Sequence, residues 1–242
     1  MSSGLVELYF VLGATGSDRR ALLADLISEG LPADAHPYVA LNENEPPAPV
    51  DDALRRAKAE VVRWSWQPPK IAYSVPPDAT HLFLLADGRA NPVDQVEALR
   101  EWLADHPRVR LARILLWVNA RLAHAQPALL PWFEACAHFA DVVLVTKREG
   151  VEAKWLADFE KHFRDQQYPF LLEVVRGFTV KNPALILTSE ARRVSQVFDE
   201  PMELADESDE EIEAAKPEND RYFAWKPGGF RVMTVPDIRK FV

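Results

Sequence analysis

Residues that could bind an anion are concentrated in one short turn near the N-terminus, and they are Gly13, Gly16, Arg19 and Arg20. A hydrophobic run precedes this turn and an amphipathic sequence follows it, so residues 5–27 predict a strand, a turn and a helix. Backbone N–H groups at such a helix N-terminus favour an anionic phosphate, and guanidinium groups also bind phosphate. The turn therefore predicts a phosphate site, although the two arginines would also fit a solvated first turn of the helix.

The turn follows the phosphate-loop pattern GxxxxGK[ST] only in part. Gly13 matches the first glycine, whereas Asp18, Arg19 and Arg20 take the places of the second glycine, the lysine and the hydroxyl residue. The guanidinium of Arg19 keeps the charge of the lysine but is larger, and the cation of Arg20 should repel the Mg²⁺ that a hydroxyl would hold. We therefore expect no bound metal, a doubtful role for Mg²⁺ and little or no hydrolysis, and we assign no catalytic residue.

The segments that must position this turn alternate between strand and helix patterns. Short apolar runs at 36–42, 81–86, 111–118 and 141–146 are typical of strands buried on both faces, and helical patterns lie between them. Such alternation predicts a mostly parallel sheet covered by helices on both faces, which is a three-layer α/β domain. The aromatic, proline-interrupted segment 64–77 predicts an edge strand or a covering loop.

The net charge of −9 is concentrated in one segment. Residues 199–220 contain eleven Asp or Glu and one Lys, which leaves the rest of the chain about neutral and without the basic stripe of a nucleic-acid-binding protein. The sequence has neither an apolar run long enough to cross a bilayer nor a signal-peptide pattern, so we expect a cytoplasmic protein without a membrane partner. The single cysteine, Cys136, excludes an intramolecular disulfide and a thiolate metal cluster.

Five segments, in the same order, resemble the CobW-type P-loop GTPases, which are relatives of the HypB and UreG metallochaperones. They are GATGSDRRALL at 13–23, ALNENEPPAPVDDALR at 40–55, LLADGRANPV at 84–93, WVNA at 117–120 and ADVVLVTKRE at 140–149. The corresponding family motifs look like GFLGAGKTTLL, VIENEFGEVSVDDQLL, IETTGLADPAPV, VVDA and ADVVLLNKTD. The resemblance covers residues 5–150 and implies a P-loop NTPase-like (Rossmannoid) domain that binds a purine nucleotide.

The same resemblance implies a base-recognition segment at Thr146, Lys147 and Glu149, which stand for the family's NKxD motif. The stem of Lys147 would lie along a purine, and the carboxylate of Glu149 would accept hydrogen bonds from guanine. Glu149 is one methylene longer than the family's Asp, which leaves both GTP and another purine nucleotide open as ligands. The family's cysteine motif GCxCC has no counterpart in this sequence, so metal transfer by that motif is excluded.

We divide the chain into a P-loop NTPase-like domain over residues 1–198, an acidic and disordered linker over 199–220, and an aromatic tail over 221–242. The linker is too poor in apolar residues to pack. The tail contains large rings that would be unfavourable in water, so we expect it to dock on the domain or on a neighbouring subunit. A turn at Pro227-Gly228-Gly229 would let it form a short hairpin. Self-association or an unidentified protein partner would then use this tail.

These observations favour a nucleotide-binding protein with a decayed phosphate site, a pseudo-GTPase that acts as an interaction module and binds a purine nucleotide weakly. One alternative is a working GTPase or ATPase with an atypical loop. A second alternative is an NAD(P)-binding protein, because the turn also resembles the glycine-rich turn of short-chain dehydrogenases. Asn42 or Glu43 would then accept the ribose, but the third glycine falls on Arg19 and the later segments do not fit.

Overall fold

One sheet of eight strands forms the middle layer of the domain in the computed structural model, which describes residues 4–199 and 219–242. The strands are β1 (Val6–Gly13), β2 (Pro37–Asn42), β3 (Glu60–Gln67), β4 (Lys70–Ala72), β5 (His81–Leu85), β6 (Val109–Asn119), β7 (Val142–Thr146) and β8 (Leu171–Val174). Across the sheet they lie in the order β4-β3-β2-β5-β1-β6-β7-β8. All neighbouring pairs are parallel except β3 and β4, which confirms the prediction of a mostly parallel sheet.

Helices cover both faces of this sheet. They are α1 (Arg19–Gly30), α2 (Asp51–Arg56), α3 (Pro92–Ala104), α4 (Ala120–Ala125), α5 (Leu130–Phe139), α6 (Ala153–Asp165) and α7 (Pro183–Leu187). Buried residues of α1, α2 and α7 form the core on one face, and those of α3 to α6 form the core on the other. None of these helices, in the part of the chain that the structure describes, is long and apolar enough to cross a membrane. The three layers confirm the predicted three-layer α/β fold with a mostly parallel sheet.

The central strand β1 shows why the apolar runs form strands of this kind. Its side chains alternate between the two cores, with Leu8, Phe10 and Leu12 on the α3–α6 side and Tyr9 and Val11 on the α1 side. A strand that is apolar at successive positions can bury both of its faces, and this requires helices on each side of the sheet. The strand then delivers the glycine-bearing turn to the carboxyl edge of the sheet, between the ends of β5 and β6.

Two local expectations need correction. The segment 64–77 supplies the edge strand β4 as predicted, but Trp64 belongs to β3, which lies inside the sheet between β4 and β2. Trp64 is buried, and its indole N–H donates to the carbonyl of Leu85 at 2.9 Å. The helical pattern between the apolar runs 111–118 and 141–146 is divided among α4, a short 3-10 helix at Pro127–Leu129 and α5.

The aromatic tail packs on its own domain, as expected. Tyr222, Phe223 and Ile238 are buried in the α3–α6 core, and the Phe223 ring lies 5.6 Å from the ring of Phe139. The tail also contains the expected hairpin, in which β9 (Trp225–Lys226) pairs with the antiparallel β10 (Phe230–Arg231). Most of the predicted acidic linker, residues 200–218, lies outside the described residues.

Candidate functional site

The turn between β1 and α1 is held tightly against the ends of the neighbouring strands. Gly13 has φ of 141°, and a Cβ atom at this position would lie 2.8 Å from the carbonyl oxygen of Trp117 on β6. Gly16 has φ of 82°, a conformation that glycine adopts without strain, and open space surrounds the place of its Cβ. The two glycines therefore serve different purposes, because Gly13 allows a close approach to β6 and Gly16 allows the chain to turn.

The turn also makes hydrogen bonds within itself and with the loop after β5. The backbone N–H and the hydroxyl of Ser17 both donate to the carbonyl of Ala14, at 3.2 and 2.7 Å. The N–H of Thr15 donates to the carbonyl of Gly88 at 3.2 Å, and a Cβ atom on Gly88 would lie 2.5 Å from that nitrogen. Two backbone amides of the turn are therefore paired within the protein.

Asp18 occupies the position at which the phosphate-loop pattern has its second glycine. Its backbone lies in the left-handed region, with φ of 60° and ψ of 24°, which costs a residue with a side chain free energy but is tolerated best by Asn and Asp. Its side chain makes no capping hydrogen bond to α1. Instead, Oδ1 of Asp18 lies 3.1 Å from Nζ of Lys147, so an ion pair connects the turn to the loop after β7.

Arg19 points into the protein. Its side chain is only 4% exposed, so the alternative of a solvated first helical turn is wrong for this residue. NH1 donates to the carbonyl of Ala86 at 2.7 Å, and NH2 forms an ion pair with Oε1 of Glu45. Burial lowers the pKa of the Arg19 guanidinium, and the carboxylates of Glu45 and Asp87 oppose that shift. The cation therefore depends on these two acids for compensation inside the protein.

Arg20 is also nearly buried and is bound by two carboxylates. Its Nε and NH2 donate to Oε2 of Glu45, at 3.1 and 2.8 Å, and its NH1 donates to Oδ1 of Asp51 at 2.9 Å. Arg63 on β3 lies 3.9 Å from the other oxygen of Asp51. The result is a chain of alternating charges in which Glu45 lies between Arg19 and Arg20. We refer to these four residues, Arg19, Glu45, Arg20 and Asp51, as the arginine–carboxylate cluster.

Sequence reasoning did not identify Glu45 and Asp51 as partners of the arginines. Both lie in the segment 40–55, which carries one of the five family resemblances, and this was the signal available. Glu45 is 26 residues from Arg19 along the chain, and Asp51 is 31 residues from Arg20. The loop between β2 and α2, together with the first residue of α2, brings both acids back to the turn.

Asp87, which follows β5, is engaged in local hydrogen bonds. Its carboxylate accepts from the backbone N–H of Arg89 at 2.9 Å and from the side chain of Asn44 at 3.2 Å. The backbone N–H of Asp87 donates to the side chain of Gln95 at 2.6 Å. This arrangement is that of an Asx turn. Within residues 4–199 and 219–242, no group of three His, Cys, Asp or Glu side chains is placed to hold a metal ion.

The three residues predicted to recognise a base lie in different environments. Thr146 is buried, and its hydroxyl lies 3.2 Å from both the carbonyl of Ser17 and that of Val118. Lys147 pairs with Asp18 as described above. Glu149 is exposed, and its backbone carbonyl accepts a hydrogen bond from Arg121 at 3.2 Å. The structure therefore brings Thr146 and Lys147 to the turn, and Glu149 lies at the surface.

A cavity of about 380 Å³ opens beside the turn. The first residues of α1 and the turn line one side, and the loop between β2 and α2 lines another. The ring of Phe178, which follows β8, completes the wall and is 58% exposed. Further lining residues of this cavity are Thr15, Gly16, Ser17, Asp18, Arg19, Arg20, Ala21, Glu45, Pro46, Ala48 and Val50. The lining of the cavity combines apolar residues with both arginines.

No protein-family model and no curated protein matches this sequence. Among solved structures, the chain is similar to a zinc-bound YjiA GTPase from E. coli, with 13% identity, coverage of 78% of this chain and 67% of the other, and a TM-score of 0.46. It is similar to the hydrogenase maturation factor HypB from Archaeoglobus fulgidus, with 14% identity, coverage of 73% and 86%, and a TM-score of 0.47. It is also similar to the signal recognition particle receptor FtsY from Elizabethkingia anophelis in complex with GDP, with 14% identity, coverage of 77% of this chain and 64% of the other, and a TM-score of 0.49. These similarities are similarities of fold.

Proposed function

We propose that this chain is a CobW-like nucleotide-binding protein whose phosphate site no longer supports hydrolysis, so that it acts as a pseudo-GTPase interaction module. The observation that carries this proposal is the position of Glu45, whose carboxylate lies between the guanidinium groups of Arg19 and Arg20. A carboxylate of the protein thus forms ion pairs with the two cations that would otherwise be available to a phosphate.

The energetics of this arrangement support weak binding of an anion. Arginine–carboxylate hydrogen bonds are charge-assisted, and a guanidinium that loses its carboxylate partner inside a protein is strongly destabilised. A phosphate that approaches Arg19 and Arg20 must therefore displace Glu45 or bind without their full contribution. The remaining donors are backbone N–H groups at the start of α1, where an anion is favoured. We infer that a purine nucleotide binds weakly.

The same cluster argues against a requirement for Mg²⁺. In phosphate-loop enzymes a hydroxyl residue and an acid hold the metal, and the metal neutralises charge that develops on the phosphates. Arg20 stands in place of the hydroxyl residue, and Glu45 and Asp51 already compensate its charge. A divalent cation at this position would be repelled by the guanidinium and would find the nearby carboxylates engaged. Mg²⁺-dependent hydrolysis is therefore not expected.

The hairpin of the tail supports a role in protein interactions. Trp225 and Phe230 are 56% and 74% exposed, although neighbouring aromatic residues of the tail are buried. Arg231 fixes the hairpin, since it pairs with Asp94 at 2.8 Å and lies over the Trp225 ring at 4.6 Å. Exposed aromatic side chains on a fixed support are a common feature of interaction surfaces. We infer that a protein partner or a second copy of the chain contacts this hairpin.

Nucleotide titration of the unmodified chain, residues 1–242, tests this proposal. GDP, GTP, ATP and NADP⁺ are titrated by calorimetry, either with excess Mg²⁺ or with EDTA, and released phosphate is measured in parallel. We expect weak binding of purine nucleotides that is the same in both buffers, without turnover. Mg²⁺-stimulated hydrolysis that disappears in Arg19→Ala would show a working NTPase instead. Selective binding of NADP⁺ would favour the dehydrogenase-like alternative.

A further inference from the structure

Phe178 is an aromatic residue that the structure exposes beside the cavity at the turn. Phe178 is 58% exposed, and Gly16, Asp18 and the start of α1 line the same cavity. Pro46 and Val50 add further apolar groups to the lining. A planar ring and an anion-favouring helix start thus line the same cavity of about 380 Å³.

The segment that carries Phe178 is fixed at both ends. Val175 and Val180 are buried in the core on the α1 side, and the backbone N–H of Val180 donates to the carboxylate of Asp25 on α1 at 2.8 Å. Between these anchors, Gly177 adopts φ of 63°, and a β-bridge joins Arg176 to Thr179. The tight turn therefore presents the ring of Phe178 to the cavity while both flanking valines hold the core.

Of the three residues predicted to recognise a base, Thr146 and Lys147 are already engaged with the protein. The hydroxyl of Thr146 contacts two backbone carbonyls, and the ammonium group of Lys147 pairs with Asp18. Glu149 is exposed and does not line the cavity. Of these three side chains, none contributes to the cavity wall, whereas Phe178 does.

We infer that Phe178 is the base-stacking residue of this site, and that the ligand is a purine nucleotide recognised through the area of its ring. This inference rests on the proposed function, and it adds which residue contacts the base and how a purine is preferred over a pyrimidine. Stacking on an aromatic face is tolerant of base identity because every base has a π-face. Guanine and adenine nucleotides should therefore bind with similar affinity, and a pyrimidine nucleotide, which has a smaller ring system, should bind more weakly.

The test compares GDP, ADP, CDP and inorganic pyrophosphate by calorimetry, without Mg²⁺, on the unmodified chain and on single variants. Phe178→Ala should weaken GDP and ADP binding alike, by about tenfold to a hundredfold, whereas Phe178→Trp should retain it. Pyrophosphate, which has no ring, should bind to Phe178→Ala and to the unmodified chain equally. Leu5→Ala is the matched control, because it removes an apolar side chain of comparable exposure, 60%, from the residue before β1, outside the cavity lining.

The outcomes separate this inference from the proposed function. If the unmodified chain binds purine nucleotides and Phe178→Ala binds them equally well, the stacking assignment is wrong and the nucleotide site remains. If Lys147→Ala or Glu149→Gln lost affinity for GDP but not for ADP, the stacking assignment would also be wrong, and recognition at the edge of the base would replace it. If neither nucleotides nor pyrophosphate bind to the unmodified chain, both proposals fail together.

Discussion

The Nε and NH2 groups of Arg20 both donate to Oε2 of Glu45, at 3.1 and 2.8 Å, while Arg19 pairs with the other oxygen of the same carboxylate. One glutamate therefore serves two consecutive arginines at the start of α1. The two arginines that depart from the phosphate-loop pattern are thus not free cations, because Glu45 of the same protein is their counter-ion.

Replacing Glu45 with Gln should increase the affinity for pyrophosphate. The substituted side chain would keep much of the shape but would no longer neutralise Arg19 and Arg20, so an external anion would compete with a neutral amide. We expect an affinity gain of about tenfold and a loss of roughly 3 kcal/mol in the free energy of unfolding. Calorimetry and urea unfolding measure the two effects. Glu43→Gln, which changes an exposed neighbour, is the control, and equal affinity in both variants would contradict the role of Glu45.

Introducing the complete phosphate-loop pattern should create a dependence of nucleotide binding on Mg²⁺. The triple variant Asp18→Gly, Arg19→Lys, Arg20→Ser supplies the glycine, the compact ammonium and the hydroxyl group that the pattern requires. We expect nucleotide binding by this variant to be stronger with Mg²⁺ than with EDTA, whereas the unmodified chain should bind equally in both. Arg55→Ser, at an exposed arginine of α2, is the control. A triple variant that folds but binds identically in both buffers would refute the explanation.

Gly88→Ala should destabilise the domain and disturb the turn. The added Cβ would lie 2.5 Å from the backbone nitrogen of Thr15 and 2.9 Å from atoms of Gly13 and Ala14, so backbone must move. Overpacking of this kind costs about 1–3 kcal/mol, and thermal unfolding should detect it. Gly4→Ala adds the same methyl group where no atom lies within 4 Å and should have no effect. Equal melting temperatures for the two variants would show that the contact can relax.

Phe223→Ala should lower stability much more than Phe230→Ala. The ring of Phe223 is 4% exposed and lies against Phe139, whereas the ring of Phe230 is largely in water. Truncation of a buried Phe costs about 3–5 kcal/mol, and surface substitutions usually stay within about 0.5 kcal/mol. Chemical denaturation of both variants measures the difference. If both stayed as stable as the unmodified chain, the tail would contribute nothing to the stability of the domain.

Asp220, which precedes the tail and binds His138 and Ser195, should make the free energy of unfolding sensitive to acid. Burial by itself raises the pKa of Asp220, but hydrogen bonds from His138 at 2.8 Å and Ser195 at 2.6 Å outweigh it, so the pKa lies below its ordinary value. An acid with a lowered pKa in the folded chain stabilises it at pH above about 4, and this contribution is lost as the pH falls through the folded pKa.

The variant Asp220→Asn tests this pH dependence. It should be less stable than the unmodified chain at about pH 6, and the difference should shrink towards about pH 3 as Asp220 in the unmodified chain becomes protonated. Thermal unfolding across this range gives the two curves. Asp158→Asn is a suitable control, since it changes an exposed acid on α6. Parallel curves for Asp220→Asn and the unmodified chain would mean that Asp220 does not titrate in this way.

The sequence by itself determined the layers of the fold and the position of the turn. Apolar runs such as 81–86 and 141–146 can bury their side chains only when both faces of the strand are covered. Such runs therefore require helices on either side of the sheet. The departures at Asp18, Arg19 and Arg20 are also visible directly in the sequence. The aromatic content of the tail was sufficient to predict that it docks, because exposed rings are unfavourable in water.

Only the tertiary structure decided which charges meet and which ring faces the cavity. Glu45 reaches Arg19 because the loop after β2 returns over the carboxyl edge of the sheet, and Phe178 reaches the same cavity because β8 ends there as well. Strand and helix patterns report the burial of each residue against its near neighbours in the chain. Ion pairs and cavity walls depend instead on the order in which strands lie side by side, and no local pattern encodes that order.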